Sequence, residues 1–564
     1  MKLLDARRLT GLNLQSTVPG PIVEVEVTKP EESRIFIDGF ASGLDRIRTH
    51  LDFEISPFIV RQFQSGLAIT AGAPVDALYA SVVVFEWAAN ASIAKYNGED
   101  ISKDLDQVLS EVQATRDEER STRLMELMAE AKQRNIPYLW DDDEFSLGYG
   151  EFSVTWPRDK LPAVTEVSWV DLKAIPTLLI TGTNGKTTTA RMTAAIFRAA
   201  GLSVGTSSTD GISIDGEVVE KGDWTGPGAA RFILRHPKVQ VAVLETARGG
   251  MLRRGLGISS CNVAVVTNVA ADHLGEYGIN DERGMAQVKT LVYKAVHSSG
   301  TCVINADDEY VMELAAQFEQ AHCYTSLAPS DKLRTHVKNG GSAVWVQDDT
   351  IYGAREARTF EIMKVGEIPA VHGGAARHNL SNALLACALA TTLGVDREVV
   401  RAGLSEFGLN WHDNPGRCHV IEHNGVHIIL DFAHNPHGMR AVLGMVKSMQ
   451  ASEGRISISF AQAGDRSEQD LRDLVDVLLD FTPDQLVLRG LPENYHRGRS
   501  PEESERLFRD ILQQKQFPSS KFQSLENEVE ALKYALTWAK PGDTVVHLVH
   551  LERDAIKEYF AKLN

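Results

Sequence analysis

Four short apolar runs, at 177–180, 239–244, 262–267 and 301–304, alternate with segments of helical periodicity. Runs this continuous predict strands buried on both faces, and so a parallel sheet covered by helices. A second alternation begins near Pro415, with strands predicted at 427–431, 456–460, 485–488 and 544–548. One helix there carries a full start signal, Ser500-Pro-Glu-Glu503: a capping serine, a first-turn proline and a capping-box glutamate. Residues 331–371 interrupt the first alternation with Gly-rich alternating segments that predict a small antiparallel patch. The Ala- and Leu-rich run 379–393 then predicts a closing helix.

Upstream of 169 the pattern differs. A strand at 22–27 precedes mostly helical segments, including an apolar run at 81–93. The charged stretch 104–134 alternates acids and bases, which predicts a solvated face. Residues 145–156 predict a strand pair turning at Gly148 or Gly150. The acidic run Asp141-Asp-Asp-Glu144 predicts a loop, because a cation site needs ligands converging from several places. The expected division is an α+β domain over 1–168, a central α/β domain over 169–414 and a C-terminal α/β, Rossmann-like domain over 415–564.

Composition narrows this only in part. A chain of 564 residues is too long for one core. Its net charge of −18 argues against nucleic acid or an anionic membrane as partner, although helix ends can still bind phosphate. Five scattered cysteines predict reduced thiols rather than a disulfide frame or a zinc site. The start, Met-Lys-Leu-Leu-Asp, has no secretory pattern, and no run of about 18 apolar residues predicts a membrane span. A cytoplasmic location is expected.

The first alternation contains the sharpest chemistry. The strand at 177–180 runs into Thr181-Gly-Thr-Asn-Gly-Lys-Thr-Thr-Thr189 and then a helix at 190–200. Gly182 and Gly185 allow backbone N–H groups, with those of Thr183, Asn184 and Thr188, to approach phosphate oxygens at a helix N-terminus. Lys186 is placed to bridge the β- and γ-phosphates, and the Thr187 hydroxyl to complete a Mg²⁺ shell. The general phosphate-loop pattern needs a Gly at 180, where this chain has Ile180. A dinucleotide loop fits worse, since Gly-x-Gly-x-x-Gly is absent.

The shortened form Gly182-Thr-Asn-Gly-Lys-Thr187 resembles the phosphate loop of the Mur ligase superfamily, and further motifs follow in order. Glu245, in Leu244-Glu-Thr-Ala-Arg-Gly-Gly250, resembles the family's Mg²⁺-binding Glu. His273, closing Thr267-Asn-Val-Ala-Ala-Asp-His273, resembles its Mg²⁺-ligating His. Asn379 and Asn382 resemble the adenine-side Asn segment, Arg417 the nucleotide-clamping Arg, and Asp431 the ribose-contacting Asp. Ser208-Thr-Asp-Gly211, Gly222-Asp-Trp-Thr-Gly-Pro227, Asn305-Ala-Asp-Asp308, Gly464-Asp-Arg466 and Arg497-Gly-Arg499 resemble the Mur-like half of the cyanophycin synthetases. That family carries an ATP-grasp domain between this half and an N-terminal domain, and here the two parts are joined almost directly.

The resemblance implies an ATP- and Mg²⁺-dependent ligase in which an acceptor carboxylate becomes an acyl phosphate and an amine displaces phosphate. Thr187, Glu245 and His273 are then the expected metal shell, and Lys186, Glu245, His273 and Lys289 the expected catalytic set. Lys289 matches a Lys that several Mur ligases carbamylate, yet it also reads as an exposed helical lysine. Substrate contacts are expected from Thr209, Asp210, Thr225, Arg248, Arg253, His434, Asn435, Asp465 and Arg499, with surface solvation the competing reading for Arg497 and Arg499. The implied partners are amino acids or peptides, such as an Arg- or Lys-like amine with an aspartyl carboxylate, and a second copy of the chain. The alternatives are a folylpolyglutamate- or peptidoglycan-type ligase, and a non-catalytic ATP-binding partner of a separate ATP-grasp enzyme.

Overall fold

The structure, a computed structural model, describes residues 1–51, 55–99, 105–272, 274–450, 454–493, 496 and 498–563. It divides into two compact units. The first comprises Met1–Thr325, Gly341–Ala343 and Ala388–Val395, and the second Ser326–Gly340, Val344–Cys387 and Asp396–Asn564.

The centre of the first unit is the expected parallel sheet. Strand Thr177–Thr181 lies between Val241–Glu245 and Cys261–Val266, parallel to both. Val204–Ser208 extends one side, and Val296–Asn305 with Ala321–Ser326 the other, again in parallel. The three central strands, Thr177–Thr181, Val241–Glu245 and Cys261–Val266, are buried almost throughout, as their apolar residues on both faces require. All carboxyl ends therefore share one edge, where α/β sheets bind ligands. The hairpin Gly211–Ile214 and Glu217–Lys221 closes the outer side antiparallel.

The region before this sheet has more strand than its sequence predicts. Lys2–Leu9, Gly20–Glu26, Gly66–Thr70 and Ile59–Phe63 form, in that order, a four-stranded antiparallel sheet. Only one of these was anticipated. Lys2–Leu9 (KLLDARRL) and Ile59–Phe63 (IVRQF) lie partly open and carry charges, which breaks the apolar alternation that marks a strand. The charged stretch resolves into helices Leu105–Glu119 and Thr122–Gln133. Tyr138–Trp140, Glu144–Leu147 and Val154–Pro157 form a small antiparallel sheet, one strand more than the expected pair. Asp141 turns between the first two, accepting from the backbone N–H groups of Asp143 and Glu144. The segment Val75–Asn97 is long and apolar enough, by length and composition, to cross a membrane. Here its helix packs as a core element beneath the four-stranded sheet, burying Val84, Phe85 and Trp87 against Phe36 and Phe40.

In the second unit, Thr350–Arg355 and Arg358–Lys364 pair antiparallel, as the alternating segment predicts. The second sheet runs His419–His423, Val426–Asp431, Thr544–Leu548, Ile456–Phe460, Gln485–Arg489, Phe522–Leu525, parallel except at its first pair. Helix Pro501–Gln514 starts with the capping box read from the sequence: Ser500 Oγ accepts from Glu503 N at 3.3 Å, and Glu503 Oε2 from Ser500 N at 2.9 Å.

Candidate active site

Strand Thr177–Thr181 ends in the glycine loop, and helix Lys186–Ala199 starts directly from it with Gly185 as its N-cap. Gly185 has φ +83° and Gly182 φ +152°. A Cβ on Gly182 would stand 1.8 Å from Thr267 Oγ1, so side chains are excluded there twice over. Ile180, at the position of the missing glycine, is fully buried inside the strand. The turn begins two residues later, and the shorter loop needs no glycine at 180.

The segment after the neighbouring strand holds this loop. Thr267 Oγ1 and Asn268 Nδ2 donate to Asn184 O at 2.6 and 2.9 Å, and Asn184 N donates to Asn268 Oδ1 at 3.0 Å. Thr183 N donates to Asn268 O at 2.9 Å, and Ala270 N to Thr183 Oγ1 at 3.0 Å. That segment is itself tied down, since Asn305 Nδ2 donates to Thr267 O and Asp308 Oδ2 accepts from Val269 N. Asn268 is a loop-fixing residue that the sequence reading passed over, because its side chain acts on backbone and not on a ligand. Gly182→Ala is expected to lower ADP affinity by at least about tenfold, since displaced donors no longer converge on phosphate. Calorimetric titration checks it, and unchanged affinity would contradict this account of the loop.

Glu245 ends the strand beside the loop, in register with Ile180. Its Oε2 accepts from Thr187 Oγ1 at 2.8 Å, and both residues are buried. The two oxygen groups foreseen for a metal shell are therefore in contact, and hard oxygen donors suit Mg²⁺. His273 lies outside the described residues. Lys186 extends from the first turn of the same helix as Thr187, its Nζ donating to Thr183 O at 3.0 Å.

Lys289 is not exposed. It retains 4% of its surface at the end of helix Glu282–Lys289. Burial pushes its amine well below the ordinary lysine range, Lys186 and Arg248 push it further, and Asp272 and Asp308 oppose them. Its helical face was ambiguous from sequence because the helix has only 8 residues, although Met285 and Ala286, one turn earlier, are buried on the same side.

The expected substrate residues of this unit divide. Thr225 is buried and donates to Asp223 Oδ1 at 2.7 Å. Asp210 pairs with Arg191 at 2.8 Å, with Thr209 half-buried beside it. Arg248 pairs with Glu276, and Arg253 is exposed. Arg248 and Arg253 lie on a helix, Arg248–Arg254, whose Met251 and Leu252 bury against the core. Glu276 belongs to a turn held by the N-terminal sheet. Arg61 donates to Tyr277 O at 2.8 Å, and the Arg7 guanidinium lies 5.1 Å from the Tyr277 ring centre.

In the second unit Asn379 and Asn382 are buried at the start of helix Arg377–Thr392, where Asn382 Nδ2 donates to Asn379 Oδ1 at 3.3 Å. Asp431 ends its strand with Oδ2 accepting from Cys418 N at 2.9 Å and Oδ1 from Ala433 N at 2.8 Å. Arg417 stacks over Phe432 at 4.2 Å. Asn435 caps helix Pro436–Met449, accepting from Gly438 N at 2.8 Å, so its side chain has a structural task. His434 stands edge-on to Phe432, 5.4 Å between ring centres. The loops Gly464-Asp-Arg466 and 497–499 come together: Gly464 N donates to His496 O at 2.7 Å and Arg499 Nη1 to Arg466 O at 2.5 Å. Arg499 is thus spent largely on backbone, Asp465 is exposed beside it, and Arg497 lies outside the described residues.

Arg553 was not anticipated. Its guanidinium stacks 4.9 Å from the Phe432 ring that Arg417 also covers. Its stem crosses Gly416, where an added Cβ would approach it to 3.3 Å. Nothing in Glu552-Arg-Asp554, a charged helix start, distinguishes it in sequence.

Two family descriptions match the chain: Mur ligase middle domain over residues 180–390, and Mur ligase, glutamate ligase domain over 416–548. Cyanophycin synthetase of Crocosphaera subtropica is 38% identical over 374 residues, covering 66% of this chain and 42% of that protein. The UDP-N-acetylmuramoyl-L-alanyl-D-glutamate–2,6-diaminopimelate ligase of Gloeobacter violaceus is 28% identical over 384 residues, covering 65% and 70%. The chain spans less than half the length of the cyanophycin synthetases it matches. E. coli FolC in complex with DHPP and ADP shares the fold, with a TM-score of 0.52 at 20% identity over 69% of this chain and 89% of that one. With both family domains present in order and more than half of its length inside them, this chain belongs to the Mur ligase family.

Proposed function

We propose that the chain is an ATP- and Mg²⁺-dependent carboxylate–amine ligase, joining an Arg- or Lys-like amino acid to an aspartyl-type or peptide carboxylate. The observation that carries this reading is the contact of Thr187 with Glu245, 2.8 Å, beside Lys186 at the carboxyl edge of the parallel sheet. The substrate class rests on the similarity to cyanophycin synthetases, and the division into 1–168, 169–414 and 415–564 on the family boundaries.

A carboxylate is inert to amines at neutral pH, so it must first attack the γ-phosphate and release ADP. The resulting acyl phosphate has a good leaving group, and the amine displaces phosphate to leave the amide. Catalysis of such a reaction is mostly positioning and charge neutralisation. Lys186 neutralises the transferring phosphoryl group, while the amides at the helix N-terminus, from Gly185 to Thr188, fix the phosphates; those of Thr183 and Asn184, expected to do so from the sequence, are instead taken by Asn268. Thr187, Glu245 and His273 would hold a Mg²⁺ ion, which would supply further neutralisation of phosphate charge. Carbamylation of Lys289 needs a neutral amine, which its burial and cationic neighbours favour. In the second unit Asn379 and Asn382 serve adenine, Asp431 ribose, and Arg417 the nucleotide. Arg553 joins Arg417, because two guanidiniums on one ring concentrate positive charge at the strand ends.

Arg553→Ala is expected to raise the KM for ATP by roughly tenfold with a smaller change in kcat, the mark of lost nucleotide binding. Equal kinetics would remove Arg553 from the site. ADP release assayed over paired amino acids and aspartyl peptides tests the substrate class. Turnover confined to folates or UDP-linked peptides would replace it, and nucleotide binding without turnover by any pair would favour a non-catalytic partner of a separate ATP-grasp ligase.

A further inference from the structure

We propose that His378, Cys418 and Asp431 form a site for a borderline divalent transition ion of the zinc type. All three belong to the second unit, and one ligand atom from each lies within 4.8 Å of the other two. Ligands on a tetrahedral zinc stand roughly 3.3–3.7 Å apart, so a shift of about 1 Å closes the set.

Each group has a separate reason to be there. Neither ring nitrogen of His378 has a hydrogen-bond partner, although both are buried. Buried polar atoms are nearly always paired, so an imidazole left this way signals a missing ligand. Cys418 has φ +56°, a conformation rare for a side-chain-bearing residue. Asp431 holds it from the amide side, and its carbonyl lies 2.9 Å from His372 Nε2. The strained turn aims Sγ inward, 3.4 Å from Met445 Sδ. Each Asp431 oxygen accepts one backbone N–H and keeps a lone pair for an ion.

The donor set selects the ion. A sulfur ligand with imidazole and carboxylate suits zinc and similar ions, and disfavours Mg²⁺ and Ca²⁺. Binding exchanges the Cys418 thiol proton, released to solvent, for a metal–sulfur bond. Three protein ligands leave a fourth position open. An ion holding Asp431 withdraws that carboxylate from ribose, so it inhibits the ligase; this consequence rests on the proposed function, whereas ion binding does not.

Cobalt(II), a coloured stand-in for zinc, tests the site in the full-length protein without any turnover. The expected result is a saturable thiolate-to-cobalt charge-transfer band that Cys418→Ser abolishes and His378→Gln weakens by at least about tenfold in affinity. No such band, or a band unchanged in both variants, overturns the site. Circular dichroism establishes that the variants fold, and a second probe, equilibrium dialysis of Zn²⁺ against the unaltered full-length chain, stands independently of them: one bound ion per chain is expected, and none overturns the site. Zinc inhibition of ADP release should disappear in Cys418→Ser, and inhibition that persists would overturn the link to Asp431.

Discussion

Lys186→Ala is expected to lower ATP-dependent turnover by about 10²–10³-fold, the usual cost of removing one preorganised charge-stabilising group. The structure says why the effect should be catalytic and not a loss of fold. The side chain leaves the first turn of its helix and makes a single bond inside the loop, to Thr183 O. The loop itself is laced by Thr267, Asn268 and the Thr183 hydroxyl, none of which touches Lys186 Nζ in that lattice. The backbone amides that bind phosphate should therefore survive, and ADP affinity should fall far less than kcat. Steady-state kinetics beside calorimetric ADP titration separate the two. A kcat within a few fold of the parent would remove Lys186 from the chemistry.

Lys289→Met is expected to lower turnover by roughly 100-fold while raising stability at neutral pH. The opposite directions matter. A buried lysine whose folded pKa lies well below 10.5 costs folding energy, because the unfolded chain keeps a proton that the folded chain must give up. Between the depressed folded value and the ordinary value the unfolded state holds more protons, so the parent's stability rises with pH across that window. Methionine fills the volume without the penalty and removes the slope. Carbamylation requires the amine neutral: amine plus carbon dioxide gives carbamate and a proton. Protein stripped of carbon dioxide should therefore lose activity and regain it with bicarbonate, more readily as pH rises through the depressed pKa. Thermal unfolding at several pH values and activity with and without bicarbonate check both halves. A destabilised Lys289→Met with unaltered turnover would contradict them.

These two residues also mark where the sequence was legible. The parallel strands announce themselves because burial on both faces demands near-continuous apolar residues, as in the Val-Ala-Val-Leu of strand Val241–Glu245. Helix Pro501–Gln514 does so because its cap chemistry is local. Lys186 and Thr187 needed only the spacing of two glycines before a helix. The N-terminal sheet stayed hidden, since Arg7 and Arg61 use strands to deliver charge across the domain, to Leu252 O and Tyr277 O, and so break the alternation. Lys289 could be placed on a helix but not on a face, because the helix has only 8 residues. Asn435, Arg499 and Asp210 show a different limit: a polar residue in a suggestive motif serves equally well at a helix end, in a loop or in an ion pair, and the fold decides which. Arg553 is distant in sequence from Arg417, and their meeting over Phe432 is a product of the fold alone.

The central claim is that this chain couples ATP cleavage to an amide bond. The measurement that tests it most directly is mass spectrometry of products from the purified protein with ATP, Mg²⁺, mixed amino acids and aspartyl peptides, the acceptor carboxylates labelled with heavy oxygen. The account predicts a new amide, ADP in equal amount, and one heavy oxygen carried into the released phosphate. ADP without amide, or an amide whose phosphate carries no label, would contradict it.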